Sequence, residues 1–479
     1  MTYLGIDLGT SSLKAILISE DQRVLAEHSV PLTVSRPHAG WSEQDPAQWM
    51  EATQTAIRAI GATADVSGVR GIGMSGHMHG ATLIDASGEV LRPCILWNDT
   101  RSATEAAALD NNPEFRALTG NIVFPGFTAP KVAWVRNNEP DLFGKIAKVL
   151  LPKDYLRFVL TGDYVAEMSD AAGTSWLDVD KRDWSDELLT ATGLTRDHMP
   201  RLVEGSEVSG MLRDDLAQAW GLPKGVVIAG GGGDNAASAI GVGVVKKGDA
   251  FVSLGTSGVL FAASDAYQPD AASAVHTFCH AVPDTWHQMG VILAATDALQ
   301  WLSRLTGPTA AELTADLGAL QAPSQTLFLP YLGGERTPHN NAAMRGQFLH
   351  LDHATDAKQA ARAVLEGVAF AFADCQAALR STGTEIDAAL AMGGGAKSEY
   401  WLRVIATTLG IPLRVPEAGD FGAALGAARL GMMAATGAGV EIATMPPIAK
   451  TIDPDTRLQS AFAQAHDRYR TAYKVLKDI

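Results

Sequence analysis

One acidic residue, Asp234, stands where an apolar run ends in four glycines and an Ala-rich segment begins. Residues 226–229 predict a strand, and the glycines at 230–233 leave room for a bulky anion or for another backbone, because glycine has no Cβ. Asp234 and Asn235 follow at the predicted N-terminus of a helix, where an Asp can cap the helix or take part in chemistry. The position near mid-chain, with similar sequence on either side, favours a chemical role for the carboxylate.

The sequence Leu-Gly-Thr-Ser occurs twice, at residues 8–11 and 254–257, each time between two apolar strand-like runs. Each copy predicts a hairpin whose tight turn of small hydroxyl residues suits phosphate oxygens. One such turn is a weak signal, but two in matching halves of a chain could hold one polyphosphate between them. A further strand, glycines and helix are predicted over 389–401, and a Gly-rich turn at a helix N-terminus favours contact with phosphate or nucleoside.

Two polar clusters follow predicted strands in the first half, where α/β proteins place ligand sites. His77 and His79 could bind a metal, but no third ligand is apparent nearby in the sequence, so hydrogen bonding of an imidazole to a polar substrate is favoured. Trp97 is a residue type that stacks on sugar faces, although a core role fits it nearly as well. The turn-rich segments 153–155 and 169–174 could reach a site, but each by itself is more typical of a structural loop.

The composition is that of an ordinary globular protein, with 479 residues, 47% hydrophobic and 19% charged. A net charge of −15 argues against nucleic acid or an anionic membrane as the main partner. Three widely spaced cysteines indicate no disulfide framework. Because the chain has no signal-peptide pattern and no apolar run of about 18 residues, we expect a cytoplasmic protein.

Two nucleotide-binding patterns can be weighed against these features. The P-loop pattern Gly-x-x-x-x-Gly-Lys-[Ser/Thr] does not occur. Residues 231–236 satisfy a loose Gly-x-Gly-x-x-Ala pattern, so a dinucleotide-dependent oxidoreductase is an alternative. That alternative explains neither the repeated hairpin turn nor the second Gly-rich turn.

Taken together, the duplicated turns and the acid between the halves resemble the actin-like ATPase fold of sugar kinases. The chain resembles the FGGY carbohydrate kinases from end to end: residues 126–138 are similar to the family's first signature and residues 346–367 to its second. Two positions depart from the pattern, His350 where Gly is usual and His77 where Gln is common.

The resemblance implies an α/β fold of two duplicated, ribonuclease H-like lobes with a cleft between them. The N-terminal domain would span residues 1–244 and bind the sugar, and the C-terminal domain would span residues 245–479 and bind the nucleotide. The implied reaction is the transfer of phosphate from ATP to D-xylulose. The alternatives are the same reaction on another ketose or polyol, such as L-ribulose, L-fuculose or glycerol, or a non-catalytic sensor of sugar or nucleotide.

The resemblance also implies roles for individual residues. Asp234 would be the base that accepts the proton of the sugar's terminal hydroxyl, and Asp7 would hold Mg²⁺. The sugar would be bound by Met78, His79, Trp97, Asp234 and Asn235. The phosphates and the nucleoside would be bound by Thr10, Ser11, Gly255, Thr256, Ser257, Gly394, Gly395, Lys397 and Ser398. A homodimer is a further expectation from the family.

Overall fold

The computed structural model describes residues 1–315, 317–417 and 422–478. The strands are β1 (Thr2–Leu8), β2 (Ser12–Ser19), β3 (Val24–Pro31), β4 (Glu43–Gln44), β5 (Val69–Gly76), β6 (Thr82–Ile84), β7 (Cys94–Ile95), β8 (Lys148–Leu150), β9 (Val165–Glu167), β10 (Leu177–Asp178), β11 (Asp183–Trp184), β12 (Arg201–Val203), β13 (Val208–Met211), β14 (Val227–Ala229), β15 (Gly232–Gly233), β16 (Ala250–Leu254), β17 (Gly258–Ser264), β18 (His276–Cys279), β19 (Trp286–Ile292), β20 (Leu327–Leu329), β21 (Gln347–Leu349), β22 (Ala389–Met392), β23 (Leu413–Pro416) and β24 (Ile448–Ile452). The helices are α1 (Ala47–Gly61), α2 (Ala103–Asp110), α3 (Pro113–Thr119), α4 (Thr128–Asn138), α5 (Pro140–Phe143), α6 (Pro152–Thr161), α7 (Met168–Ala171), α8 (Asp186–Ala191), α9 (Asp214–Trp220), α10 (Asp234–Gly241), α11 (Thr296–Thr306), α12 (Ala310–Thr314), α13 (Ala357–Ser381), α14 (Glu399–Leu409), α15 (Ala423–Thr436) and α16 (Gln459–Leu476).

Two large sheets share a five-stranded core of the same topology, β3-β2-β1-β5-β14 in the first and β19-β17-β16-β22-β23 in the second. The first has the order β13-β14-β5-β1-β2-β3, with β15 also paired to β5, and the second has the order β18-β19-β17-β16-β22-β23-β24. In each sheet an antiparallel hairpin, β1/β2 or β16/β17, lies beside two parallel strands, β5 and β14 or β22 and β23. Each Leu-Gly-Thr-Ser turn joins the two strands of one of these equivalent hairpins. The predicted duplicated, actin-like α/β fold is therefore confirmed.

The two glycine-rich turns occupy different places in the duplicated sheets. Residues 230–233 follow β14, whereas residues 393–395 follow β22, and the counterpart of β22 in the first sheet is β5. The counterpart of α10 is therefore α15, which comes after β23. The likeness between 226–237 and 389–401 thus arises from a shared local need for a tight strand-to-helix turn, and the two segments are not equivalent in the duplication.

Helix α15, from the second half of the chain, packs on the first sheet through small residues. A Cβ placed on Gly73 of β5 would lie 1.7 Å from the carbonyl oxygen of Ala427. On another side of α15, a Cβ on Gly426 would lie 1.7 Å from the carbonyl oxygen of Ala237 in α10. Only glycine permits such an approach. The Ala/Gly pattern of residues 421–428 predicts a helix whose small side chains allow close packing, and that packing is confirmed. Phe421, the first residue of the predicted helix, lies outside the described residues.

The sequence pattern predicts helices over 291–305 and 309–320, and both helices are shorter in the structure. The first begins only at Thr296, because residues 286–292 belong to β19 and pair with β17. The helix predicted over 309–320 spans Ala310–Thr314. In the part of the chain that the structure describes, no helix has the length and apolar character needed to cross a membrane.

Candidate active site

The carboxyl ends of β1, β5 and β15 form one edge, which carries both predicted catalytic carboxylates. Leu8 pairs with Gly76, and Gly76 pairs with Gly233. Leu8, Gly76 and Gly233 therefore lie side by side across the three strands. Asp7 comes directly before Leu8, and Asp234 comes directly after Gly233. Because neighbouring strands are about 4.8 Å apart, the backbones of β1 and β15 are separated by roughly 10 Å. The pairing thus brings Asp7 and Asp234 to the same edge of the first sheet.

Asp234 is the first residue of α10, and Gly233 occupies the helix cap. Its Oδ1 accepts hydrogen bonds of 2.7 Å from the backbone N–H and 3.0 Å from the side-chain amide of Asn235. Among the described residues its Oδ2 accepts no hydrogen bond. Asp234 is therefore not the helix cap that its position in the sequence also allowed.

The surroundings of Asp234 also change its acidity. Burial raises the pKa of the Asp234 carboxyl above its ordinary value, and the hydrogen bonds from Asn235 offset part of that rise. An exposed Asp has a reference pKa of about 3.9. The partly buried carboxylate of Asp234 is therefore a stronger base than an exposed Asp.

Met78 lies beside the glycine loop that leads to Asp234, and its neighbour His79 packs against Gly173. A Cβ on Gly233 would be 2.9 Å from Cγ of Met78, and a Cβ on Gly173 would be 2.5 Å from Cε1 of His79. The ring of His79 stacks on Phe127 with the ring centroids 4.6 Å apart. The structure therefore brings together the predicted sugar residues Met78, His79, Asp234 and Asn235.

The protonation of His79 follows from its contacts. Its Nδ1 lies 2.7 Å from the carbonyl oxygen of Gly173, which can only accept, so Nδ1 carries the proton. Burial and the nearby positive charge of Lys131 lower the pKa of His79 to about 3. The imidazole is therefore neutral near pH 7, and its Nε2 is an acceptor for a hydroxyl group.

The backbone of His79 is held by a buried lysine that sequence reasoning did not single out. His79 has a left-handed φ of 70°. Nζ of Lys131 donates 2.8 Å to the carbonyl oxygen of His79 and also donates to that of Gly126. Burial lowers the pKa of Lys131 to about 7. A lysine within the otherwise apolar stretch 129–135 of the first signature was the available signal.

Trp97 lies apart from the protein core, with 47% of its surface exposed. Its Nε1–H donates a hydrogen bond of 2.9 Å to Oγ1 of Thr10, in the first hairpin turn. Ser11, next in that turn, is exposed. An exposed indole is inconsistent with the core role that was the alternative for Trp97.

The second hairpin turn adjoins the turn after β22. The carbonyl oxygen of Gly255 accepts from the backbone N–H and Oγ1 of Thr296, at 2.9 and 2.8 Å, and a Cβ on Gly395 would lie 2.8 Å from Cβ of Leu254. Thr256 and Ser257 are exposed at this turn. Beside it is an open cavity of about 580 Å³, whose lining includes Thr296, Gln300, Gly394, Gly395, Lys397 and Ser398. The predicted nucleotide residues of the second half are therefore contiguous.

The loose dinucleotide pattern at residues 231–236 has a different explanation. A Cβ on Gly231 would lie 2.1 Å from the carbonyl oxygen of Met74, and one on Gly230 would lie 2.2 Å from that of Glu204. These glycines are required by close contacts within the chain itself.

The described residues also contain no group of three or more His, Cys, Asp or Glu side chains able to hold a metal ion.

Comparison with known proteins agrees with this geometry. The N-terminal domain of the FGGY family of carbohydrate kinases matches residues 2–241, and the C-terminal domain of that family matches residues 250–435. The chain belongs to the FGGY family of carbohydrate kinases. The exact domain boundary after residue 244 stays a prediction.

The relatives of this FGGY kinase extend over its whole length. A xylulose kinase of Escherichia coli (strain K12) is 48% identical over 479 residues and is covered to 99%, as is this chain. A crystal structure of a "xyloylose kinase" from Brucella ovis has 60% identity and a TM-score of 0.98, with 99% of both chains covered. The crystal structure of xylulose kinase from Rhodospirillum rubrum has 29% identity and a TM-score of 0.92, also with 99% of both chains covered.

Proposed function

We propose that this FGGY kinase transfers the terminal phosphate of ATP to D-xylulose and forms D-xylulose 5-phosphate. The proposal is supported by full-length relatives named xylulose kinase and above all by the environment of Asp234. One carboxylate oxygen of Asp234 is fixed by Asn235, and the other has no partner among the described residues. Met78 packs against Gly233 in the same loop, and His79 packs against Gly173.

In the proposed reaction Asp234 accepts the proton of the terminal hydroxyl of the sugar through Oδ2. Phosphoryl transfer has a loose transition state in which the nucleophile loses its proton late, so positioning of the hydroxyl matters more than a high pKa of the base. The raised pKa of Asp234 still favours its role as an acceptor. Nε2 of neutral His79 accepts a hydrogen bond from a second hydroxyl and thereby orients the chain of the sugar.

The residues of both hairpin turns fit a polyphosphate. They offer small hydroxyl side chains and backbone N–H groups, which are the donors that phosphate oxygens need. A Cβ on Gly394 would meet no atom within 4 Å, so the wall of the 580 Å³ cavity is open where the nucleoside would lie. We propose that Thr10, Ser11, Thr256 and Ser257 bind the phosphates of ATP and that Gly394, Gly395, Lys397 and Ser398 border the nucleoside.

Asp7 is the residue proposed to hold Mg²⁺. It is a partly buried carboxylate at the active-site edge, and carboxylate oxygen is a ligand that this hard cation prefers. Bound Mg²⁺ would supply charge neutralisation at the phosphates. Mg²⁺ keeps several waters and takes ligands from substrate phosphates, so one or two protein carboxylates suffice to hold it.

The substrate is tested by coupled ADP-release measurements with purified protein, ATP and Mg²⁺ against D-xylulose, L-ribulose, L-fuculose and glycerol. We expect the highest kcat/KM with D-xylulose. A higher kcat/KM with another member of this panel would contradict the proposed substrate while retaining a kinase. Binding of sugar without ADP release from any of them would instead support a sensor.

We further propose a cytoplasmic protein that forms a homodimer. Cys94, Cys279 and Cys375 are all buried and free of disulfide bonds, which suits a reducing compartment. The homodimer is inferred from the family resemblance. Light scattering on the purified protein would test it, and a monomer mass of about 50 kDa would contradict it.

A further inference from the structure

Both ends of the glycine loop before Asp234 are held by side chains from outside the loop. Nη2 of Arg157, in α6, donates to the carbonyl oxygen of Gly230. Oγ of Ser169, in α7, accepts a hydrogen bond of 3.0 Å from the backbone N–H of Gly233. The loop has no side chains of its own, so contacts to its backbone are the means by which neighbouring side chains can fix its shape.

Ser169 is itself oriented by a buried carboxylate. Its Oγ–H donates to Glu167, with distances of 3.0 and 2.9 Å to Oε1 and Oε2. Because the hydroxyl proton points to Glu167, a lone pair of Oγ points to the N–H of Gly233. Glu167 also accepts 2.7 Å from the backbone N–H of Ser169, so carboxylate and serine form one fixed unit.

Glu167 and Arg157 belong to one fully buried cluster of charges. Nζ of Lys153 lies 2.8 Å from Asp154, 3.1 Å from Asp170 and 3.3 Å from Glu167, and Asp154 also accepts 2.8 Å from Arg157. All five side chains have 0% exposure. Buried ionic clusters seldom stabilise a fold more than well-packed apolar residues would, because desolvation of the charges is costly. Stability alone is therefore a weak reason for a cluster at this place.

We propose that Ser169, oriented by Glu167, is a positioning residue that sets the place of the Asp234 carboxylate by fixing the N–H of Gly233, while Arg157 fixes the other end of the loop. The inference rests on the proposed role of Asp234 as base. A shift of about 1 Å in a catalytic group can lower a rate by about 100-fold. The effect should therefore appear in kcat, because binding of the sugar also uses Met78 and His79.

The chain offers a matched control for the hydrogen bond of Ser169. Ser209 is also buried, and its Oγ donates 2.9 and 3.0 Å to the carbonyl oxygens of Ile228 and Ala229, in the strand that leads into the same loop. Ser209→Ala therefore removes a buried serine near the loop without touching Gly233. Ser169→Cys keeps nearly the size of serine but has sulfur, a weak acceptor, in place of the hydroxyl oxygen.

The experiment measures kcat and KM for D-xylulose, Kd for D-xylulose by calorimetry, and Tm, for wild type and the three variants. We expect Ser169→Ala to lower kcat by about 10- to 100-fold, with Kd within about twofold of wild type. The kcat of Ser169→Cys should lie between those of wild type and Ser169→Ala. Ser209→Ala should keep the kcat of wild type although it loses about as much Tm as Ser169→Ala. The intermediate value of the cysteine variant is a result that loss of packing would not give.

Two outcomes would overturn the inference. The first is a kcat within about twofold of wild type for both folded Ser169 variants. The second is an equal loss of kcat in Ser209→Ala, which would show that general destabilisation is responsible. If wild type releases no ADP with D-xylulose, the proposed substrate fails, and the variants are compared on whichever sugar of the panel is phosphorylated. If none is phosphorylated, proposed function and inference fail together.

Discussion

The indole of Trp97 donates a hydrogen bond of 2.9 Å to Oγ1 of Thr10. The first residue is expected to contact the sugar and the second the phosphate, and they come from segments 87 residues apart. An exposed tryptophan held at one edge of its ring presents a fixed apolar face. The contact therefore joins the predicted sugar pocket to the first hairpin turn.

Trp97→Phe should lower kcat/KM for D-xylulose by about 2- to 10-fold. It keeps an aromatic face and removes a hydrogen bond that contributes about 0.5–1.5 kcal/mol. Steady-state kinetics would measure the effect in a cycle with Thr10→Val. The double variant should lose less than the sum of the single losses, and strictly additive losses would contradict a functional Trp97–Thr10 contact.

His77→Gln should weaken the dependence of stability on pH. His77 is 3% exposed, no described residue hydrogen-bonds its ring nitrogens, and burial with the nearby charge of Lys131 lowers its pKa to about 3. Between the unfolded pKa of about 6.5 and the folded value, only the unfolded state binds the proton, so stability is lost as the pH falls. Each buried His of this kind contributes up to about 1.4 kcal/mol per pH unit.

Denaturant unfolding at pH 7.5, 6 and 5 would measure this difference. Other buried or partly buried histidines also have lowered pKa values, namely His79, His276, His280, His287 and His339, so wild type and variant must be compared at each pH. As the pH falls, the free energy of unfolding should decrease less for the variant than for wild type. A difference that stays constant from pH 7.5 to 5 would show that His77 does not titrate in this way.

Gly394→Ala should raise KM for ATP and leave stability unchanged. Its Cβ would meet no atom of the protein within 4 Å, so we expect a change below about 0.5 kcal/mol in unfolding free energy. A nucleoside in the cavity would meet that methyl group, and we expect a rise in KM of about fivefold. Gly393→Ala is the contrasting variant, because Gly393 has a φ of 83° and its Cβ would lie 2.7 Å from the carbonyl oxygen of Leu254.

Steady-state kinetics with ATP varied, together with thermal unfolding, would separate the two variants. Gly393→Ala should lower Tm, whereas Gly394→Ala should not. An unchanged KM for ATP in Gly394→Ala would place the nucleoside elsewhere.

The duplicated hairpins and the position of Asp234 could be predicted because both depend on local sequence. Short repeats of Gly, Thr and Ser define a turn, and a glycine run before an Ala-rich segment defines a strand-to-helix junction. The same local reasoning made segments 226–237 and 389–401 look equivalent, although they follow different strands of the duplicated sheets. Which strand a turn follows in a sheet depends on pairings between distant residues.

The supports of the site could not be predicted for the same reason. Ser169 meets Gly233 across 64 residues, and Lys131 meets His79 across 52 residues. In the sequence Ser169 is part of an ordinary polar loop. The glycines at 230 and 231 are likewise needed because their backbone lies close to the carbonyl oxygens of Glu204 and Met74. Those contacts depend on which segments lie beside the loop.

His350→Gly should stabilise the protein by up to about 1 kcal/mol. His350 is exposed and has a left-handed φ of 57°, which explains why Gly is usual at this position of the signature. The substitution relieves about 1–2 kcal/mol of backbone strain in the folded state. It also lowers the free energy of the unfolded chain by about 0.4–1 kcal/mol, because Gly gives that chain more conformational entropy. His353→Gly is the matched control, since His353 is exposed and has no left-handed φ.

Chemical denaturation would compare both variants with wild type. His353→Gly should be neutral or destabilising. A loss of stability in His350→Gly as large as that in His353→Gly would contradict strain at residue 350.

The turnover of Asp234→Asn tests most directly whether Asp234 is the catalytic base. Asn has nearly the shape of Asp and cannot accept the proton of the sugar hydroxyl at neutral pH, and a general base contributes about 10²- to 10⁴-fold to a rate. We therefore predict that D-xylulose-dependent ADP release falls by at least about 100-fold, while calorimetry still detects D-xylulose binding close to that of wild type. A kcat within about tenfold of wild type would contradict Asp234 as the base.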